Sequence, residues 1–232
     1  MTAKQLYEYL LIEQNKREAP SIMLNDFNYF ANRAINQYVN KRYALYEKDQ
    51  QSTDDLDAIR KLDHPISLTL QGTRYKGTLP TDYLHPLNCS VKFNVINTVG
   101  CYSAGGTITF RASKLTSDNA KTVEENYYFK PSYKNPYFYR NTTLLEIRSG
   151  DTTNIRPDTA YIDYLKKPTI ISLTQDQIDS IISDTSQILE FPDNVAQEIL
   201  LELTNILLEN TSDPRLQSHI PIGTSIGLQH NK

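Results

Sequence analysis

The 232-residue sequence predicts an α+β protein, on three observations. Apolar residues recur at helical spacing in roughly the first quarter of the chain, and again after Thr174. Between these stretches the sequence turns to short β-favouring segments separated by glycines and prolines. Runs of helix, then strand, then helix belong to the α+β class, because an alternating pattern would be needed for a parallel sheet.

Residues 2–18 read as a first helix, with Leu6, Tyr9, Leu10 and Glu13 in helical register before Pro20 blocks continuation. Asn25 or Asp26 suits the cap of a second helix. In it Phe27, Phe30, Ala31, Ala34, Ile35, Tyr38 and Val39 repeat at three and four residues out to about Tyr46. Ser52, Thr53, Asp54 and Asp55 can cap a short third helix bearing Leu56, Ile59 and Leu62, and Pro65 ends this helical region.

The β-favouring segments are 66–70, 73–79, 89–97, 107–112, 143–148 and 160–166, which predict a small, mostly antiparallel sheet or sandwich. Gly72, Gly77, Gly100, Gly105, Gly106 and Gly150 punctuate them, and 132–136 reads as an exposed loop. Thr174 and Gln177 match a capping box ahead of Ile178, Ile181 and Ile182. In the last helix Pro192 suits the first turn, and Val195, Ile199, Leu203, Ile206 and Leu207 form a stripe ending near Asn210. Leu200, Leu201 and Leu208 widen that stripe into an arc that suits burial on two sides, against the chain's own core and against a neighbouring subunit. Residues 211–232 hold Pro214, Pro221, Gly223 and Gly227 without periodicity, so an extended arm is expected that offers Leu216, Ile220, Ile222 and Ile226 to a partner. The expected regions are helical 1–64, β 65–172, helical 173–210 and arm 211–232.

The search for chemistry is mostly negative. Lys and Arg number 24 against 27 Asp and Glu, a balance that gives no strongly attractive surface for nucleic acid or anionic lipid. No segment approaches the ~20 apolar residues of a membrane span, and the amino terminus lacks a secretory pattern, so a soluble protein made in a cytoplasm is expected. Cys89 and Cys101 read as free thiols, and His64, His85, His219 and His230 lack zinc-ligand spacing, so neither a metal nor a cofactor is expected. Asp54, Asp55 and Asp57 read as helix-start acids rather than cation ligands. The aromatic runs at 127–129 and 136–140 suit a buried or interfacial cluster, with a stacking platform for sugars or single-stranded nucleic acid as the alternative. A hydrolase reading would turn on His85 beside Asp82. Sixteen tyrosines and no tryptophan lean toward half-buried surfaces shared with other chains.

Two patches carry a resemblance. Tyr164-Leu165-Lys166-Lys167-Pro168, Leu189-Glu190-Phe191-Pro192-Asp193, Glu198-Ile199, Leu208-Glu209-Asn210 and Asp213-Pro214-Arg215-Leu216-Gln217 resemble the head-to-tail connector ring proteins of podoviruses, particularly those of crAss-like phages. Leu79-Pro80-Thr81-Asp82-Tyr83-Leu84 resembles the strand-to-turn step that such proteins place after their first strands. The resemblance covers about a third of the chain and none of 98–142. It implies helices from both chain ends packed together with a β domain inserted, repeated around a ring of twelve copies in the virion neck. It also implies the portal protein, a neighbouring ring and tail proteins as partners, passive contact with passing double-stranded DNA, and no enzymatic activity. On that reading Val195, Ile199, Leu203, Ile206, Leu207, Leu216, Ile220 and Ile222 are the expected interface residues.

Overall fold

The computed structural model describes residues 1–14, 22–46, 48–72, 74–116, 119–126, 128–150, 152–180 and 184–210. The chain is α+β and divides into two compact units, Met1–Ile59 with Pro168–Lys232, and Arg60–Lys167. Helices from both ends therefore make one unit, and the β-rich middle is inserted between them.

In the helical unit, α1 (Ala3–Glu13) starts at a reciprocal box between Thr2 and Gln5 and buries Ala3, Leu6, Tyr7, Leu10 and Leu11. Tyr9, expected on that face, points largely to solvent. The buried stripe is rotated by the pair Tyr7 and Leu11, and Tyr7 packs edge-on against Phe27 with ring centroids 5.0 Å apart. Helix α2 (Leu24–Leu45) begins at Met23 with no side-chain cap, earlier than the Asn25 or Asp26 start expected. A cap contributes about 1 kcal/mol. Fully burying one large apolar side chain contributes about 1.5–3 kcal/mol, and α2 buries Phe27, Ile35 and Val39 together with Ala31, Ala34 and Tyr38. Packing therefore decides where this helix begins.

Asp49, rather than Ser52, caps α3 (Gln50–Asp55), accepting from the Ser52 amide at 3.1 Å. Helix α5 (Gln175–Asp179) starts where Gln177 Oε1 accepts from the Thr174 amide at 3.0 Å. Ile181 and Ile182 lie outside the described residues. Helix α6 (Asp193–Asn210) follows Pro192, whose carbonyl accepts from the Ala196 amide at 2.9 Å. It packs on α1 and α2.

The returning segment 169–173 is held along α2 by two asparagines. Asn28 donates to the Leu173 carbonyl and accepts from its amide, both at 2.9 Å. Asn32 does the same with Ile171, both at 2.8 Å.

The inserted unit is a two-sheet sandwich. Its strands are β1 (Arg60–Ser67), β2 (Thr69–Gln71), β3 (Arg74–Thr78), β4 (Tyr83–Val95), β5 (Thr107–Arg111), β6 (Ser113–Lys114), β7 (Tyr137–Asn141), β8 (Leu144–Arg148) and β9 (Ile155–Lys166), with a short helix α4 (Ala120–Glu125) between β6 and β7. One sheet runs β1-β9-β4-β5 and the other β2-β3-β8-β7-β6. All pairs are antiparallel except β6 with β7. Ile66, Val91, Phe93, Ile162 and Tyr164 from the first sheet interleave with Tyr75, Phe138, Leu145 and Ile147 from the second. The chain changes sheets at Ala112, whose amide bonds Cys89 O before Ser113 turns to Pro136 O.

Several expectations are corrected here. Leu62 and Pro65 belong to β1 rather than to a helix and its end, and Leu62 is exposed. Strand β4 begins at Tyr83 and accommodates Pro86 through register shifts against β9. Residues 137–141, read as part of an aromatic run, form β7. The 132–136 loop is mostly half-buried, with Pro136 buried and Lys134 alone exposed.

Gly77 marks the closest approach of β3 to β1, where a Cβ would stand 2.3 Å from Ile66 Cγ2 and 2.9 Å from the Ser67 carbonyl. Gly77→Ala is expected to destabilise the protein by about 1–3 kcal/mol through overpacking, visible as a lower denaturant midpoint.

Candidate functional site

The last helix does not present its stripe as a free surface. Val195, Ile199, Leu203, Ile206 and Leu207 are all buried in the helical unit's own core, together with Leu208. Helices α1 and α2 pack against α6, and Leu200 and Leu201 at the edge of the arc are half-buried. Those five expected interface residues therefore pack inside their own unit, while Leu216, Ile220 and Ile222, with the whole expected arm, lie outside the described residues. Among the described residues, the most exposed large apolar side chains of this unit are others: Met23, Tyr29, Ile170 and Ile188, with Tyr29 at 65% and Ile188 at 71%.

The acids near α3 have divided roles. Asp55 is buried and pairs with Arg42 Nε at 3.3 Å, while Tyr38 donates its hydroxyl to the same carboxylate at 3.2 Å. Arg42 also bonds Glu198 on α6 and lies over the Tyr38 ring at 5.3 Å. Burial and the nearby Glu198 raise the Tyr38 phenol's pKa, so the hydroxyl stays protonated and serves as a donor. The cluster ties α2, α3 and α6 together.

In the sandwich, Asp82 uses both carboxylate oxygens within the fold. Lys61 Nζ donates to one at 2.8 Å and the Tyr164 hydroxyl to the other at 2.9 Å. The Lys61 bond is the leading cause that holds this carboxyl below the usual range. The Asp82 carbonyl also accepts from the Lys167 amide at 2.6 Å. His85 lies half-buried on β4, and its pKa is lowered by burial and by the cations Arg140 and Lys114. Asp82, the acid nearest His85 in sequence, is thus committed to a lysine and a tyrosine within the fold.

Cys89 is buried in β4, with its thiol pushed up to about 12 by burial and by Asp163, and Cys101 is exposed. Both are free, as the sequence suggested. The aromatic runs separate: Tyr137 and Phe138 are buried in the sandwich, while Tyr128 (86%) and Phe129 (58%) stand in solvent, and Tyr127 lies outside the described residues. No continuous platform spans both runs.

The structure brings together one constellation that sequence reasoning did not find. The β3–β8 register of Tyr75 with Ile147 places Arg74 opposite Arg148 on the outer face of the five-stranded sheet. Between them Glu146 is buried, and its Oε1 accepts from Arg74 Nη1 at 2.9 Å and Arg148 Nε at 3.1 Å. Arg148 also stacks over Tyr139 at 5.9 Å. These arginines border a cavity of about 380 Å³ that is also lined by Lys130, Pro131, Ser149, Gly150 and Thr152. Gly150 has φ +74°, and a Cβ there would meet the Pro131 carbonyl at 2.3 Å, so glycine is required for this wall to close. The only sequence-level signal was the charge alternation Glu146-x-Arg148, since Arg74 is brought in by strand register.

Among the described residues there is no cluster of metal-ligating side chains, and no helix is long and apolar enough to cross a membrane. No protein-family model matches the chain, and a search of curated proteins finds no match either.

Two outcomes follow from the charged groups. Removing Arg42 leaves the buried Asp55 charge without its cation, so Arg42→Met is expected to cost about 3–5 kcal/mol, measured by denaturant unfolding at unchanged slope. The unfolded chain binds a proton at His85 before the folded chain does, because the folded pKa is the lower one. Stability should therefore be full above pH ~6.5 and decline as pH falls below it. Melting curves from neutral to mildly acid pH should show a shallower decline for His85→Gln.

Proposed function

We propose that this chain is a ring-forming subunit of the head-to-tail connector of a tailed phage, joining the portal to the tail and lining the DNA passage. The observation that carries the reading is where the resembling segments fall. The patch 79–84 and the patch 164–168 are distant in sequence and meet at Asp82, through Tyr164, the Lys167 amide and the Lys167 ammonium, which bonds Thr81 O at 2.9 Å. The segment 189–193 of the same carboxyl-terminal patch places the buried Leu189 and Phe191 ahead of α6, with Phe191 edge-on to Tyr38 at 6.4 Å. The similarity thus falls on positions that set backbone geometry, as expected of a shared scaffold rather than of shared chemistry.

A connector subunit must bind two lateral neighbours as well as rings above and below, which commits much of its surface to interfaces. With the α6 stripe already buried, the lateral contact falls to Met23, Tyr29, Ile170 and Ile188, exposed apolar side chains of the unit built from both chain ends. A net charge of -3 suits a lumen that lets DNA pass without gripping its phosphates. Twelve copies are proposed, with the portal protein, an adjacent ring and tail proteins as partners. The exposed Tyr128 and Phe129 favour the second reading, a tail-associated carbohydrate-binding module.

Cryo-electron microscopy of the intact virion should place the chain in a closed ring at the portal vertex. Density at peripheral fibres instead, with glycan binding by the isolated chain, would replace the connector reading by the module. In the ring, Tyr29→Glu and Ile188→Glu should block assembly while leaving the monomer's melting temperature within a few degrees, since both side chains are exposed.

A further inference from the structure

The cavity on the outer face of the five-stranded sheet has no role in ring formation as argued above, and its chemistry is specific. We propose that it binds a phosphate-class oxyanion between Arg74, Arg148 and Lys130.

Three features support the assignment. First, cationic side chains approach one concavity from different elements: Arg74 from β3, Arg148 from β8 and Lys130 from the segment facing them. Donors converging from three directions suit a tetrahedral group with several oxygens better than a planar carboxylate with two. Second, the guanidiniums are pre-oriented. Glu146, itself 2% exposed, takes one N–H from each on a single oxygen, which restricts the orientation of both. Third, part of the cavity's lining is buried and closely packed. Arg148 is 9% exposed, Ser149 and Tyr75 are buried, and the Gly150 backbone lies against Pro131 in a contact that admits no side chain. Ser149 and Thr152 also line the cavity. Like charges opposite one another on paired strands are ordinarily unfavourable, and the single Glu146 carboxylate between Arg74 and Arg148 offsets only one of the two.

The volume, about 380 Å³, fits a phosphate with a small attached group such as a sugar. Free phosphate and a phosphate carried on a small molecule share this chemistry, and the probes separate them.

The test uses the full chain labelled for NMR, titrated at low ionic strength with inorganic phosphate, ribose 5-phosphate and, as a planar monoanion, acetate. The expected result is saturable shifts at the Ser149, Gly150 and Thr152 amides with phosphate and not with acetate, stronger for the sugar phosphate if the remaining volume is used. Lys130 is exposed, so Lys130→Glu should fold normally and weaken phosphate binding about tenfold. Arg74→Gln serves as a second variant and should weaken it similarly, with wild-type shifts elsewhere in the spectrum. Three results would each overturn the proposal: no shift at those amides, equal shifts with acetate, or affinity unchanged in Lys130→Glu.

Discussion

The architecture depends on the antiparallel pairing of β9 with both β1 and β4. Strand β9 runs between them from Ile155 to Lys166, so that Arg60 at the start of the inserted unit stands opposite Leu165 near its end. The chain thus enters and leaves the sandwich at the same place. That closure allows residues on either side of the insertion, 107 positions apart between Arg60 and Lys167, to contribute to one helical core. Without it, α6 would have no route back to α1 and α2.

Much of this was legible in the sequence, and what was missed has definite physical causes. Helices α2 and α6 carry long, regular stripes that only a packed helix explains, and both were read with nearly their true extent. Strand β1 was read only from Ile66, because Pro65 looks like a helix end when no partner strand is visible. The register shift between Lys61 and His64 lies where Asp63 takes φ 50°. Strand β4 was read only from Cys89, although it starts at Tyr83. Strand β7 hid among tyrosines because aromatic residues suit a buried strand and an exposed platform equally well. The α6 arc was correctly read as buried on two sides, but periodicity cannot say whether the second side belongs to the same chain, and here it does. The cavity was invisible for a simpler reason: Arg74 and Arg148 become neighbours only once β3 and β8 pair.

Formal charge near neutrality conceals local segregation. In the helical unit, opposite charges are drawn inward, with Asp55 and Glu198 meeting one arginine beside a buried phenol. In the sandwich, two arginines share one buried carboxylate. Lys61, Asp82 and Tyr164 occupy a third arrangement, at the point where the backbone of Lys167 is fastened. None of these could be inferred from a count of ionisable residues, and each depends on a different pair of elements being brought into register.

The two asparagines that hold 169–173 along α2 work as a vernier. One helical step of four residues rises ~6 Å, while two residues of extended chain advance ~6.6 Å, so rungs spaced four apart on the helix nearly match every second residue of the segment beside it. The mismatch grows with each rung. At the third position Asn36 no longer reaches the segment and donates to Asn32 O at 2.8 Å, while Thr169, which it would have met, turns to Glu190. A helix flank can therefore impersonate the edge of a sheet for about two rungs. That is long enough to set the phase of a returning chain, and too short to extend it into a strand.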